Sequence, residues 1–302
     1  MIKYPVCLQS KLALPPIALA MGAALFLSIL MPESFAGNVS VHSHKYANKL
    51  PETTELLHQV FPNITANGIA HKSVQIRDLH EQYEPTELEG QMSVKTYKKP
   101  VLVKSGLKPC AVVCMDVDHT DGDNKGAASQ WGGETLIALF QLSPSLKLLD
   151  VADIRQDRES DLWTAHPVLH ATPSDALITY FSHLNAGEEY FGLELIEIAH
   201  DKFILSKANL LTTKSFRIAG ASVTEVLSLQ TDKSVKPPRV FLRLESTCRL
   251  YTDDSDDHIK KSESKFSDTE LIFRGGHWSS ITNKKRMDAI ESMEKRYGFT
   301  DD

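Results

Sequence analysis

Cysteine is scarce in this chain: four residues in 302, at Cys7, Cys110, Cys114 and Cys248, with no C-x-x-C pair. That spacing excludes a thioredoxin-type redox motif and a zinc knuckle. An excess of basic residues is also missing. Lys and Arg number 33 against 39 Asp and Glu, a net charge of −6, which leaves no electrostatic footprint for nucleic acid. No long apolar run follows Met31, so no later segment has the composition of a membrane-spanning helix. The common catalytic signatures are absent as well: there is no G-x-S-x-G elbow, no H-E-x-x-H, no G-x-x-x-x-G-K and no G-x-G-x-x-G opening a helix. These absences remove the commonest enzyme families but leave open a site assembled from scattered residues.

What is present begins with an export signal. Lys3 and Lys11 precede an apolar stretch from Leu12 to Met31, and Ser34-Phe35-Ala36 places small residues at −3 and −1 of a cut before Gly37. The expectation is therefore residues 1–36 as a cleaved signal peptide and a periplasmic or secreted mature chain. Cys7 lies before the apolar stretch, which argues against a lipid anchor. Removing Lys3, Lys11 and Glu33 leaves 31 basic and 38 acidic side chains, a net charge of −7. Asn38-Val-Ser40 and Asn63-Ile-Thr65 fit the glycosylation acceptor pattern, which matters only in a host that glycosylates.

Residues 37–107 read as a polar arm, a short helix over 51–61 and a polar segment. Pro51 and two early glutamates start the helix, Leu56, Leu57, Val60 and Phe61 form its apolar side, and Pro62 stops it. Residues 108–280 read as a β-rich core domain. The valine-rich run 110–118 is a buried strand. Residues 135–142 and 146–154 form one hairpin around Ser143-Pro144-Ser145, and 176–183 with 190–198 form a second around Asn185-Ala186-Gly187. Further strands are expected at 203–211, 222–229 and 270–274. In 240–251, Leu242, Leu244, Ser246, Cys248 and Leu250 alternate with Arg243, Glu245, Thr247 and Arg249, the pattern of a half-buried strand. Residues 155–161 and 252–265 read as charged loops, and 281–302 as a polar C-terminal helix or tail. The fold class predicted is mainly β: an antiparallel meander or sandwich with a short N-terminal helix and a C-terminal helix.

Three groups of residues attract chemistry. Asp116, Asp118, Asp121 and Asp123 form an acidic cluster that would take calcium if it took an ion, although EF-hand spacing fails because Asp121 stands where the turn glycine belongs. The favoured reading is a solvated loop with no tightly held ion, and no cofactor is expected. Trp131, and His183, Asn185 and Glu188 at a hairpin tip, are the candidates for a binding surface. Cys110 and Cys114 would lie about 13 Å apart along a strand, beyond the roughly 7 Å a disulfide tolerates, so a bridge requires Cys248 to meet one of them. The leading expectation is an exported, non-catalytic binding protein with a protein or small-molecule partner. The rivals are a scattered-site hydrolase near the acidic loop and His183, and a structural subunit of an envelope assembly.

Overall fold

The computed structural model describes residues 50–71, 74–81, 86–96, 99–120, 133–156, 159–164, 166–171, 173–185, 188–232, 234, 239–252 and 258–299, without the side chains of Thr86, Asn185 and Glu188. Residues 1–36, expected as a signal peptide, lie outside the described residues, as do Asp121, Asp123, Trp131 and the side chains of Asn185 and Glu188.

The fold is mainly β, with two helices among the described residues, and residues 47–302 form one compact unit. Helix α1 (Thr53–Val60) leads into eight strands of a first sheet: β1 (Ile69–Ala70), β2 (Val74–Asp78), β3 (Thr86–Leu88), β4 (Met92–Lys95), β5 (Val101–Ser105), β6 (Lys108–His119), β7 (Glu134–Gln141) and β8 (Lys147–Asp153). Their order is β1-β4-β6-β7-β8-β2-β3, with β5 also on β6. Nine strands make the second sheet: β9 (Glu159–Leu162), β10 (Val168–Leu169), β11 (Ala176–Asn185), β12 (Glu188–Ala199), β13 (Lys202–Ile218), β14 (Ala221–Asp232), β15 (Arg239–Tyr251), β16 (Ile259–Arg274) and β17 (His277–Thr282). From β10 to β17 they follow chain order, and β9 adds to β11. Helix α2 (Lys284–Arg296) closes the unit.

Both expected hairpins form: β7 pairs β8 antiparallel, and β11 pairs β12 in unbroken register from Ala176–Glu197 to Asn185–Glu188. The first sheet is not a plain meander. β2 lies parallel to β8, with Arg77 opposite Ala152 and Asp78 opposite Asp153. Strands β1–β5 extend the sheet built on β6, so the first sheet runs across the boundary at 107/108 without a break. Two segments expected as charged loops are strands instead. Glu159–Leu162 pairs β11, and Ile259–Lys265 forms the first part of the 16-residue β16. Pairing with a neighbour holds the exposed start of β16, whereas β9 also buries Ser160 and Leu162. In β16 the residues Ile259, Lys260, Lys261 and Ser262 are exposed, yet their partners on β15 run from Arg249 to Tyr251.

The valine run of β6 is buried on both sides because its sheet is an inner layer. Val113, Met115 and Val117 face Leu56, Val60 and Phe61 of the α1 side. Cys110, Val112 and Cys114 face Leu177, Ile196, Ile198 and Phe203 of the second sheet. Burying each large apolar side chain here contributes about 1.5–3 kcal/mol. On the far face of the second sheet, Leu242, Leu244 and Leu271 pack under Ile290 of α2.

Polar ties set the two sheets against each other. Arg77 makes a forked contact to Asp150, its Nε 3.2 Å from Oδ1, and also donates to the carbonyl of Phe203 at 3.0 Å. Asp150 Oδ2 in turn accepts the Phe203 N–H at 2.8 Å. Asp175, 2% exposed, accepts the N–H groups of Lys104 and Ala171. Between β12 and β13, His200 and Asp201 both take positive φ, the conformation of a two-residue type I′ turn. This turn points the Asp201 carboxylate at Ser105 and Lys108.

Candidate acidic groove

One end of the first sheet opens into a groove of about 330 Å³. It is lined by Ile76 and Asp78 of β2, Glu81 after it, Glu87, Leu88 and Glu89 of the β3 region, His119 at the end of β6, Glu134 at the start of β7 and Asp153 at the end of β8. Six carboxylates and no Lys or Arg stand among these described lining residues.

The sheet topology makes this convergence. Because β2 runs parallel to β8, Asp78 and Asp153 end their strands side by side. The β6–β7 ladder brings His119 to Glu134, Nε2 to Oε1 at 3.2 Å. Glycine is required just before Glu134: a Cβ on Gly133 would stand 2.0 Å from the Val117 carbonyl oxygen and 2.5 Å from Asp118 Oδ1. Asp78 turns the chain after β2, its Oδ1 accepting the N–H groups of His80 at 2.8 Å and Glu81 at 3.2 Å.

The electrostatics of the groove are unbalanced. Asp153 Oδ1 accepts the N–H of Arg155 at 2.9 Å and of Thr135 at 3.2 Å. Burial nonetheless pushes its carboxyl up to about 6, aided by the neighbouring Asp78 and Glu134 and opposed by those N–H donors. Glu134 Oε2 is buried and has no hydrogen-bond partner among the described residues. Beside the groove, His80 Nε2 lies 2.9 Å from Oε1 of Glu194, which is 1% exposed. Burial alone would lower the His80 pKa; the Glu194 carboxylate, with Asp78 and Asp153, outweighs that and raises it. At neutral pH the region therefore favours positive charge wherever a group can supply it.

The residues singled out in the sequence lie elsewhere. Asp116 on β6 accepts the Thr135 hydroxyl at 3.3 Å and is half-buried, and burial raises its pKa. The buried stretch of β6 thus continues past Met115 to Val117, carrying Asp116 with it. Asp118 is 44% exposed and lies 3.8 Å from Lys95 Nζ. His183 belongs to β11 of the other sheet, opposite Tyr190. None of the three lines the groove. Among the described residues, no three His, Cys, Asp or Glu side chains stand together in a way that would hold a metal ion. Cys110, Cys114 and Cys248 are free thiols, and the expected bridge is not formed. A bridge requires β6 and β15 to be neighbours, whereas they belong to different sheets and the sulfurs to different apolar clusters.

The groove acids escape a reading of the sequence because they come from four separated stretches of chain, each of which has ordinary strand-end or turn polarity. The Glu87-Leu88-Glu89 triplet is the one local hint, since alternation places both acids on one side of a strand. No known protein family, curated protein or solved structure matches this chain.

Proposed function

We propose that this is an exported, non-catalytic binding protein whose acidic groove takes an organic cation: a primary ammonium on an aliphatic stem. The observation that carries the reading is the convergence of six carboxylates on one groove with no cationic side chain in its described lining. The acids are distributed around the groove wall instead of meeting at one point, which suits spaced ammonium groups better than a single metal ion. Ile76 and Leu88 offer apolar contact for the methylene stem between charges. A volume of about 330 Å³ is at the small end of ligand sites and fits such a chain.

Free polyamines and the lysine side chain of a peptide share this chemistry, and calorimetric titration with spermidine and with trilysine distinguishes them. Binding by either is expected to weaken with added salt and to weaken as pH falls below about 6, where Asp153 takes up its proton. The double variant Asp78→Asn, Glu134→Gln is expected to lose about tenfold or more in affinity. Absence of heat with both ligands up to about 10 mM at low salt, or an affinity unchanged in the double variant, would overturn the reading.

A further inference from the structure

His80 follows β2 and is not among the described lining residues of the groove, yet it is tied to one of them twice. Its backbone N–H donates to Asp78 Oδ1 at 2.8 Å, and its ring nitrogen Nδ1 lies 3.9 Å from the same oxygen. The other ring nitrogen, Nε2, stands against both oxygens of Glu194 on β12, 2.9 Å from Oε1 and 3.1 Å from Oε2. Glu194 is 1% exposed, and the Thr179 hydroxyl of β11 lies 3.5 Å from its Oε2.

An ionised carboxylate can only accept hydrogen bonds, so Nε2 carries a hydrogen. In the neutral ring Nδ1 is then a bare lone pair. That atom is buried, has no hydrogen-bond partner among the described residues, and stands near the Asp78 carboxylate. Leaving a buried acceptor unpaired is costly, and an anion beside it adds repulsion. Protonation of Nδ1 turns the same contact into an attraction, with an imidazolium between two carboxylates. The charged groups that act most strongly on the ring are all acids: Glu194 of β12, Asp78 of β2 and Asp153 of β8. Burial disfavours the charged ring, but these acids outweigh it and hold the His80 pKa above the ordinary 6.5.

Asp78 and Asp153 thus belong to two sets: they line the groove and they act on His80. A positive charge on His80 and one in the groove draw on the same carboxylates and repel each other. We propose that the groove exchanges its organic cation for a proton at His80: the cation enters as the Nδ1 proton leaves to solvent, and acidification reverses the exchange. This rests on the reading of the groove as a site for ammonium groups. Two like charges about 7 Å apart at an effective dielectric of about 20 shift each other's ionisation by about one to two pH units. By reciprocity, protonation of His80 weakens the cation's affinity by the same factor, about tenfold or more. Because the pKa is raised, the ring is charged at and below 6.5, and affinity climbs as pH rises through the folded value and the proton is lost. The carboxyl of Asp153 titrates lower, at about 6, so the two proton sites are separable.

Proton NMR of the His80 ring in the full chain, with and without saturating spermidine, tests this. The titration midpoint is expected to fall by about one pH unit when spermidine binds. Asp78→Asn should lower the midpoint with no ligand present. Calorimetry at about pH 7.5, in buffers of different ionisation heat, should show protons released on spermidine binding. His80→Gln, which keeps a donor to Glu194, should release fewer. Spermidine that binds but leaves the His80 midpoint in place overturns the exchange and spares the groove reading, whereas absence of binding heat overturns both. Proton release unchanged in His80→Gln, or a midpoint unmoved by Asp78→Asn, also overturns the exchange. If the variants do not fold, the midpoint shift in the wild type decides alone.

Discussion

Replacing Asp150 with alanine is expected to lower the stability of the protein by about 2–4 kcal/mol. Asp150 is 9% exposed and serves two groups at once. It receives the Arg77 fork, and it accepts the Phe203 N–H where β13 begins. Alanine leaves a buried N–H without its acceptor, which costs about 1–3 kcal/mol. It also leaves the Arg77 guanidinium beside a low-dielectric interface. Arg77 is 26% exposed and can partly rehydrate, so the loss falls below the full range for a sealed ion pair. For a domain of this size the midpoint of thermal unfolding should drop by about 5–15 °C. Asp150→Asn keeps one oxygen to accept the Phe203 N–H but turns an amide NH2 toward the Arg77 Nε–H, and should lose less than the alanine variant because that buried N–H keeps its acceptor. Equal stability of Asp150→Ala and wild type by calorimetry would mean that the apolar layer between the sheets, and not this tie, sets their association.

How much of this architecture the sequence discloses depends on what holds each element. Strands stabilised by burial announce themselves. β7, β8, β11, β12 and β15 alternate or run apolar because one or both faces are covered. Strands stabilised by pairing do not. Lys260, Lys261, Glu263 and Lys265 give β16 the composition of a loop, and only the register with β15 makes it a strand. β9 is half so: its Glu159 and Asp161 are held opposite Ser182 and Tyr180, while Ser160 and Leu162 are buried. Such charged, partly open strands also discourage pairing with other chains. The buried side of α2 is legible through Ile290, Met293 and Glu294 at helical spacing, including a glutamate in the apolar stripe.

Site residues obey a harsher rule, because long-range pairing alone assembles them. Asp78 and Asp153 are 75 positions apart and meet through one short parallel contact between β2 and β8. A parallel pair in an otherwise antiparallel sheet leaves no mark on either strand's pattern, since both are amphipathic in the same way. The acidic run from Asp116 draws attention by density in sequence, but its described members serve a hydrogen bond to Thr135 and an exposed ion pair with Lys95. Density of acids along the chain and convergence of acids in space are separate properties here.

Asp153→Asn is expected to raise stability, and to do so only above a defined pH. The carboxyl is pushed from an ordinary 3.8 up to about 6, chiefly by burial. Between these values the folded protein holds a proton that the unfolded chain has released, so stability falls as pH rises through the window, and above about 6 the whole penalty is present. Keeping this carboxylate ionised in the folded protein at neutral pH costs about 3 kcal/mol. Asparagine carries no charge at any pH. Its Oδ1 still accepts from Thr135 and Arg155, and its amide can donate to Asp78 or Glu134, the acids that oppose Asp153 now. The variant should therefore melt close to wild type near pH 4 and about 5–10 °C above it near pH 7. The same change removes one of the six charges that the groove presents to a cation, so spermidine affinity should fall as the melting temperature rises. A constant difference in melting temperature from pH 4 to pH 8 would mean that Asp153 is ionised throughout and that packing, not charge, separates the two proteins. An opposite movement of stability and affinity, confined to pH above about 6, identifies the groove as a place where the fold retains an unfavourable buried charge for the sake of a ligand.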